Sequence, residues 1–222
     1  MQKRFDLIVC DLDGTLIDNR YAIRENFNYT RNLYGYSPLL DSQIDSMIGT
    51  PLLEMFEKTL PASDKHLASE LARIYKKRYT LTRQQRLVIL DGVITTLKIL
   101  KNDKFKLAVA TTKANDQVHP LLEKIGLYRY FDLVVGFNKK FRTKPYPDMV
   151  QYLMKELDAE PVRTVLVGDT PTDVHTARNA GTYSITVKTG ISLGMTTLDE
   201  VEKAGPDIII DFFSELPNHL YI

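Results

Sequence analysis

The stretch FDLIVCDLDGTLID, residues 5 to 18, sets the tightest constraint on the fold. Phe5 to Cys10 is apolar and β-branched enough for a buried strand of a parallel sheet. Yet it ends in Asp11 and Asp13, and unpaired carboxylates cost several kcal/mol or more to desolvate. Either these acids lie open to water at a strand end, or positive charge sits between them.

A βα rhythm continues downstream. KLAVAT (106–111), DLVVGF (132–137), TVLVGD (164–169), YSITV (183–187) and DIIID (207–211) read as short buried strands. Helical segments lie between them, such as DMVQYLMKELD with Met149, Val150, Leu153 and Leu157 on one face. This alternation predicts an α/β fold, a doubly wound parallel-sheet (Rossmann-like) core with helices on both faces. Gly126, Gly181 and Gly205 follow helical patterns as left-handed termini. Residues 19–88 break the rhythm: AIRENFNYTRNLYG and SDKHLASELARIYKKRYTLTRQQR read as helices, with Thr50-Pro51 as a further helix start. The expected organisation is a core of residues 1–18 and 89–222 with a small all-helical insert, 19–88.

Ligands of open α/β sheets bind beyond the carboxyl ends of the strands. Those ends deliver Asp11 and Asp13, then Thr111, Thr112 and Lys113, then Asp169 followed by Asp173; Lys144 comes from a loop before a helix. A divalent cation between Asp11 and Asp169 would stabilise such a cluster. Oxygen ligands without a His or Cys set select a hard ion, Mg²⁺. With Mg²⁺ and a lysine at one carboxylate, the matching substrate is a phosphate group. Asp11 is then the candidate nucleophile and Asp13 the general acid and base. Lys144 and the Thr111 hydroxyl supply positioning and charge neutralisation. Asp173 reads as metal support, with a helix N-cap as the alternative, and Lys113 as a substrate contact or a surface residue.

DLDGTL, ATTK, TKPYPD and VGDTPTD, in this order, resemble the four motifs of the haloacid dehalogenase superfamily. The likeness spans the chain, since the helical insert stands where that superfamily places its cap domain. It implies a Mg²⁺-dependent phosphatase working through an aspartyl-phosphate, with Asp11, Asp13, Thr111 and Lys144 catalytic. It implies a metal site of Asp11, Asp169 and Asp173, with Asp13 joining through its main-chain carbonyl. IGTPLLEMF and ATTK are most similar to phosphoglycolate phosphatases and their pyrophosphatase relatives, which makes phosphoglycolate the first expected substrate and pyrophosphate the second. A nucleotide or sugar phosphatase of the same superfamily is a further alternative. Those phosphoglycolate enzymes carry Asn where this chain has Thr112, a position expected at the substrate phosphate together with Lys113. Pro120 suggests that its helix begins late.

Sister activities fit less well. Dehalogenases lack the second aspartate, β-phosphoglucomutases carry a His where this chain has Ile23, and phosphonatases need a cap lysine, whereas none lies between Lys3 and Lys58. A non-catalytic phosphate-receiving signalling domain would be shorter, with its aspartate on a middle strand and no helical insert.

Composition narrows the partners. Lys+Arg 29 against Asp+Glu 28 argues against a general nucleic-acid binder. No apolar run is long enough for a bilayer, so no membrane partner is expected. The single cysteine, Cys10, fits a reducing compartment and a core position. The expectation is a cytoplasmic monomer or homodimer acting on a small phosphorylated metabolite. The basic run Arg73, Lys76, Lys77, Arg78, Arg83 and Arg86 reads as a solvated face of the insert.

Overall fold

A computed structural model describes residues 2–82 and 87–222, so Arg83 and Arg86 of the basic run lie outside the described residues. The chain opens with β1 (Leu7–Cys10) and a two-residue strand, β2 (Ile17–Asp18). Four helices follow: α1 (Arg20–Leu33), α2 (Asp41–Asp45), α3 (Leu52–Thr59) and α4 (Ala68–Thr82). The return passes through β3 (Val88–Ile89), α5 (Val93–Asn102), β4 (Lys106–Ala114), α6 (Asn115–Lys124) and β5 (Leu133–Phe137). The second half runs α7 (Asp148–Glu156), β6 (Thr164–Gly168), α8 (Pro171–Ala180), β7 (Tyr183–Val187), α9 (Thr189–Ser192), α10 (Leu198–Ala204) and β8 (Ile208–Ile210).

Six of these strands form one parallel sheet in the order β5-β4-β1-β6-β7-β8. Side chains alternate across it, as the strand period demands. Ile8, Cys10, Leu107, Val109, Val165 and Val167 share one apolar cluster with α5 and α6. Leu7, Val9, Ala108, Ala110 and Leu166 share another with α7 and α8. Both faces are therefore covered and the sheet is doubly wound. From β1 the chain moves to β4 on one side, whereas from β6 it moves to β7 on the other. The direction of winding reverses between β1 and β6, where a crevice opens at the strand ends.

The helices α1 to α4 pack around a separate apolar cluster, which Met195 from beyond α9 joins. Phe27 and Phe56 stack at 4.4 Å, Tyr75 meets Phe56 edge-on, and Tyr75 and Tyr79 stack at 5.3 Å. Polar ties hold the turns between them: Arg24 pairs with Asp41 and Asp45, and Arg31 donates to the Thr59 carbonyl at 2.8 Å. Both chain passes to these helices are joined at their base, where Ile17 and Asp18 pair antiparallel with Ile89 and Val88. Two residues per strand are too few to show an alternation, so this ribbon left no sequence signal.

Two local expectations are corrected. Pro51 occupies the cap position and α3 starts at Leu52; the Thr50 hydroxyl donates instead to the Met47 carbonyl. Helix α6 begins at Asn115, ahead of Pro120, because the proline removes only one N–H donor, the partner of the first-turn carbonyl of Asp116, an exposed residue.

Phe56→Ala removes the ring at the centre of the helical cluster and is expected to cost about 3–5 kcal/mol. Hydrogen exchange should show the loss concentrated in α1, α3 and α4; uniform loss through the sheet would mean that helices and sheet unfold as one unit.

Candidate active site

The sheet register brings the site together. Cys10 is aligned with Val109 on one side and Val167 on the other, so Asp11 and Asp169 emerge just past the ends of β1 and β6, beside Thr111, which lies within β4 beyond its last rung with β1. Asp11 and Asp169 stand at the ends of β1 and β6, at the crevice itself. Oxygens of Asp11, Asp169 and Asp173 all lie within 4.8 Å of one another.

Lys144 binds this cluster. Its Nζ donates at 2.6 Å to Asp11 Oδ1 and at 2.6 Å to Asp173 Oδ1, and its side chain is 2% exposed. Burial disfavours the ammonium, but the two carboxylates outweigh that and raise its pKa above the usual lysine range. Burial pushes the Asp11 carboxyl up to about 7, with Lys144 pulling it down and Asp173 pushing it up. Asp169 is raised well above its ordinary value by burial first and by Asp173 and Asp11 next.

The reading of Asp173 as a helix N-cap is corrected. This residue is the third of α8, and Thr170, not Asp173, holds the cap position. Its Oδ2 accepts from the Thr170 N–H and hydroxyl and from the Asp169 N–H, while Oδ1 faces Lys144. Gly168 permits this approach, since a Cβ there would fall 2.3 Å from the Asp173 side chain.

Asp169 differs. Thr15 donates to its Oδ1 at 2.7 Å, but Oδ2 is buried with no hydrogen-bond partner among the described residues. Two glycines make room around that oxygen. A Cβ on Gly14, whose φ is +92°, would lie 2.2 Å from it, and one on Gly190 would lie 2.5 Å away. A bare buried oxygen, two neighbouring carboxylates and an all-oxygen donor set fit a hard divalent cation. A cation there would also offset the burial and mutual repulsion that raise the Asp11 and Asp169 carboxyls.

Asp13 faces the other way. Its Oδ2 pairs with Lys113 Nζ at 3.0 Å, and its side chain lies outside the three-carboxylate cluster. Lys113 is only 8% exposed, so it belongs to the site and not to the surface. It sits over the ring of Tyr79 from α4, whose hydroxyl accepts from Asn19 at 2.7 Å. Nothing in the sequence marked Tyr79 or Asn19, because a tyrosine at helical spacing reads as core. Thr111 is buried, and its hydroxyl accepts from the Lys113 N–H at 3.2 Å. The strand register shifts between Thr111 and Ala114, and within that irregular stretch Thr112 lines the cavity beside Asp11 and Asp13. Thr15 lay within the DLDGTL signature, whereas Gly190 carried no signal.

The doubly wound sheet, the carboxylates at its switch point and the buried lysine define a hydrolase of the haloacid dehalogenase type. The haloacid dehalogenase-like hydrolase family model matches residues 8–187, and the chain belongs to that family. It is 36% identical to a probable phosphatase, IndB, of Dickeya dadantii, over 95% of this chain and 91% of the relative. It is 30% identical to the pyrophosphatase PpaX of Bacillus velezensis, over 96% of this chain and 95% of that protein. Among solved structures, a predicted phosphoglycolate phosphatase from Haemophilus somnus superposes with a TM-score of 0.89 at 22% identity, covering 99% of both chains.

Gly190→Ala should crowd Asp169 at both its main-chain carbonyl and Oδ2, each 2.5 Å from the added Cβ, with none of Asp11, Asp13 and Lys144 among the nearest atoms. The Mg²⁺ concentration giving half-maximal activity is expected to rise at least about tenfold, the scale set by changes in the groups around metal ligands. An unchanged Mg²⁺ titration would remove Asp169 from the metal site.

Proposed function

We propose that this chain is a Mg²⁺-dependent phosphatase that hydrolyses a small phosphate monoester through an aspartyl-phosphate on Asp11. The observation that carries this reading is the separation of the two strand-end acids. Asp11 faces Lys144 and the carboxylate cluster, while Asp13, two residues on, faces Lys113 and the larger cavity. This separation supports a role for one acid at the phosphorus and for the other at the leaving group.

In the first step an Asp11 oxygen bonds to phosphorus as the ester P–O bond breaks, and Asp13 gives its proton to the departing oxygen. In the second, Asp13 takes a proton from water, whose oxygen attacks phosphorus and releases Asp11. Lys144 holds the Asp11 carboxylate in one orientation and supplies positive charge beside the phosphoryl oxygens. Thr111 and Thr112 belong to the phosphate site. Asp11 and Asp169 would hold Mg²⁺ with the Asp13 carbonyl, and Asp173 would support them by fixing Lys144 and the start of α8. When bound, Mg²⁺ supplies charge neutralisation at the phosphoryl group.

Core residues 1–18 and 89–222 carry the chemistry, and residues 19–88 act as a cap. Ile48 and Gly49, between α2 and α3, line the cavity at Asp11, so the helices contribute a wall of the site and exclude water when closed. Phosphoglycolate is the first monoester to test, from the resemblance of IGTPLLEMF and ATTK. Pyrophosphate is the second reading, favoured by the similarity to PpaX.

Asp11→Asn should abolish phosphate release with the fold intact by circular dichroism, because the near-isosteric amide cannot serve as nucleophile. Asp13→Asn should lower kcat by about 10²–10⁴-fold. Near-normal turnover by the Asp11 variant would overturn the mechanism. Chelation should abolish activity and Mg²⁺ restore it, with Ca²⁺ supporting little because its longer, more numerous bonds disturb the in-line geometry. Full activity after exhaustive metal removal would refute the metal assignment.

A further inference from the structure

Two adjoining cavities share Asp13, Ile48, Gly49 and Thr112. The smaller, about 10 Å³, is bounded by Asp11, Lys144 and Asp173. The larger, about 230 Å³, runs from Asp13 in among the helices. The first is polar and charged. The second is walled mainly by Ile23, Leu52, Met55, Ala72, Tyr75 and Tyr79.

The charges on the larger wall cancel. Asp13 and Glu54 stand against Lys76 and Lys113, and Lys113 is already paired with Asp13. A carboxylate or second phosphate placed there would leave water for a wall that carries no net positive charge and includes Glu54, which is costly in a mainly apolar chamber. A neutral ring would instead meet aliphatic side chains and the two stacked phenol rings, which lie 5.3 Å apart and 13° from parallel. The volume suits a single ring with a short linker, and the position beyond Asp13 is where a departing alcohol must lie.

We propose that the larger cavity is a leaving-group site for a neutral, flat ring, so that the enzyme prefers phosphate monoesters of ring-bearing alcohols over phosphoglycolate and pyrophosphate. This rests on the phosphatase reading above and narrows its substrate class. The alcohol leaves with the proton from Asp13 as its P–O bond breaks.

The test compares phosphate release by the full-length protein with Mg²⁺ from ethyl phosphate, benzyl phosphate, phosphoglycolate and pyrophosphate. Ethanol and benzyl alcohol are similar leaving groups, so their ratio reports the cavity and not intrinsic reactivity. Benzyl phosphate should exceed ethyl phosphate by about 10²-fold in kcat/KM, the value of burying a phenyl-sized surface. It should also exceed phosphoglycolate and pyrophosphate. Ala72→Phe fills the chamber and should bring the benzyl-to-ethyl ratio toward one. Should that variant fail to fold, inhibition of the unaltered enzyme by benzylphosphonate against ethylphosphonate gives the same comparison without mutation. A benzyl-to-ethyl ratio near one, or preference for phosphoglycolate or pyrophosphate, overturns the ring site and leaves the phosphatase standing. No release from any of the four overturns both.

Discussion

Everything at the catalytic edge depends on one ammonium group buried between two carboxylates. Lys144 reaches Asp11 from a loop and Asp173 from the start of a helix, and so ties β1, the loop before α7 and α8 at a single point. A pair of like charges this close in a poorly hydrated site would repel or take up protons. The lysine between them offsets that repulsion and fixes both in orientation. Asp169 lacks such a partner at Oδ2, and that asymmetry separates the part of the cluster that the protein neutralises from the part left for a cation.

The same division runs through the two strand-end acids. Asp11 and Asp13 are two residues apart, yet each has its own lysine, Lys144 or Lys113. Gly14, next in the chain, turns the backbone with φ +92° and passes so close to Asp169 that no side chain fits. The tight turn therefore aims two carboxylates in different directions while admitting a third from a neighbouring strand.

Much of this was legible in the sequence because it is written in short-range signals. An apolar run that ends in acids is a buried strand with a charged terminus, and the recurrence of such runs reveals the sheet. Asp11, Asp13, Asp169 and Lys144 could be read because each sits at the end of an element or beside one. Long-range packing is what the sequence concealed. Tyr79 meets Lys113 across many turns of chain, and its spacing on α4 is that of any core residue. Gly190 matters only because a strand end elsewhere places Asp169 against it. Lys76 belonged to a run that reads as solvated, yet the helix turns it toward the chamber beside Asp13.

The short ribbon of Ile17–Asp18 against Val88–Ile89 closes the whole helical excursion at its base. To the sheet, the chain between residues 19 and 87 is a loop whose ends are already together, so its length adds little to the difficulty of forming β1 and β4 side by side. The excursion is thus topologically a plug in a fixed socket. A helical unit of another size or shape, spliced at the same ribbon, would leave the register of the six strands untouched while replacing most of the wall around the reacting group. New chemistry at the phosphate would require changing the socket; a new molecule carrying the phosphate would require only a different plug.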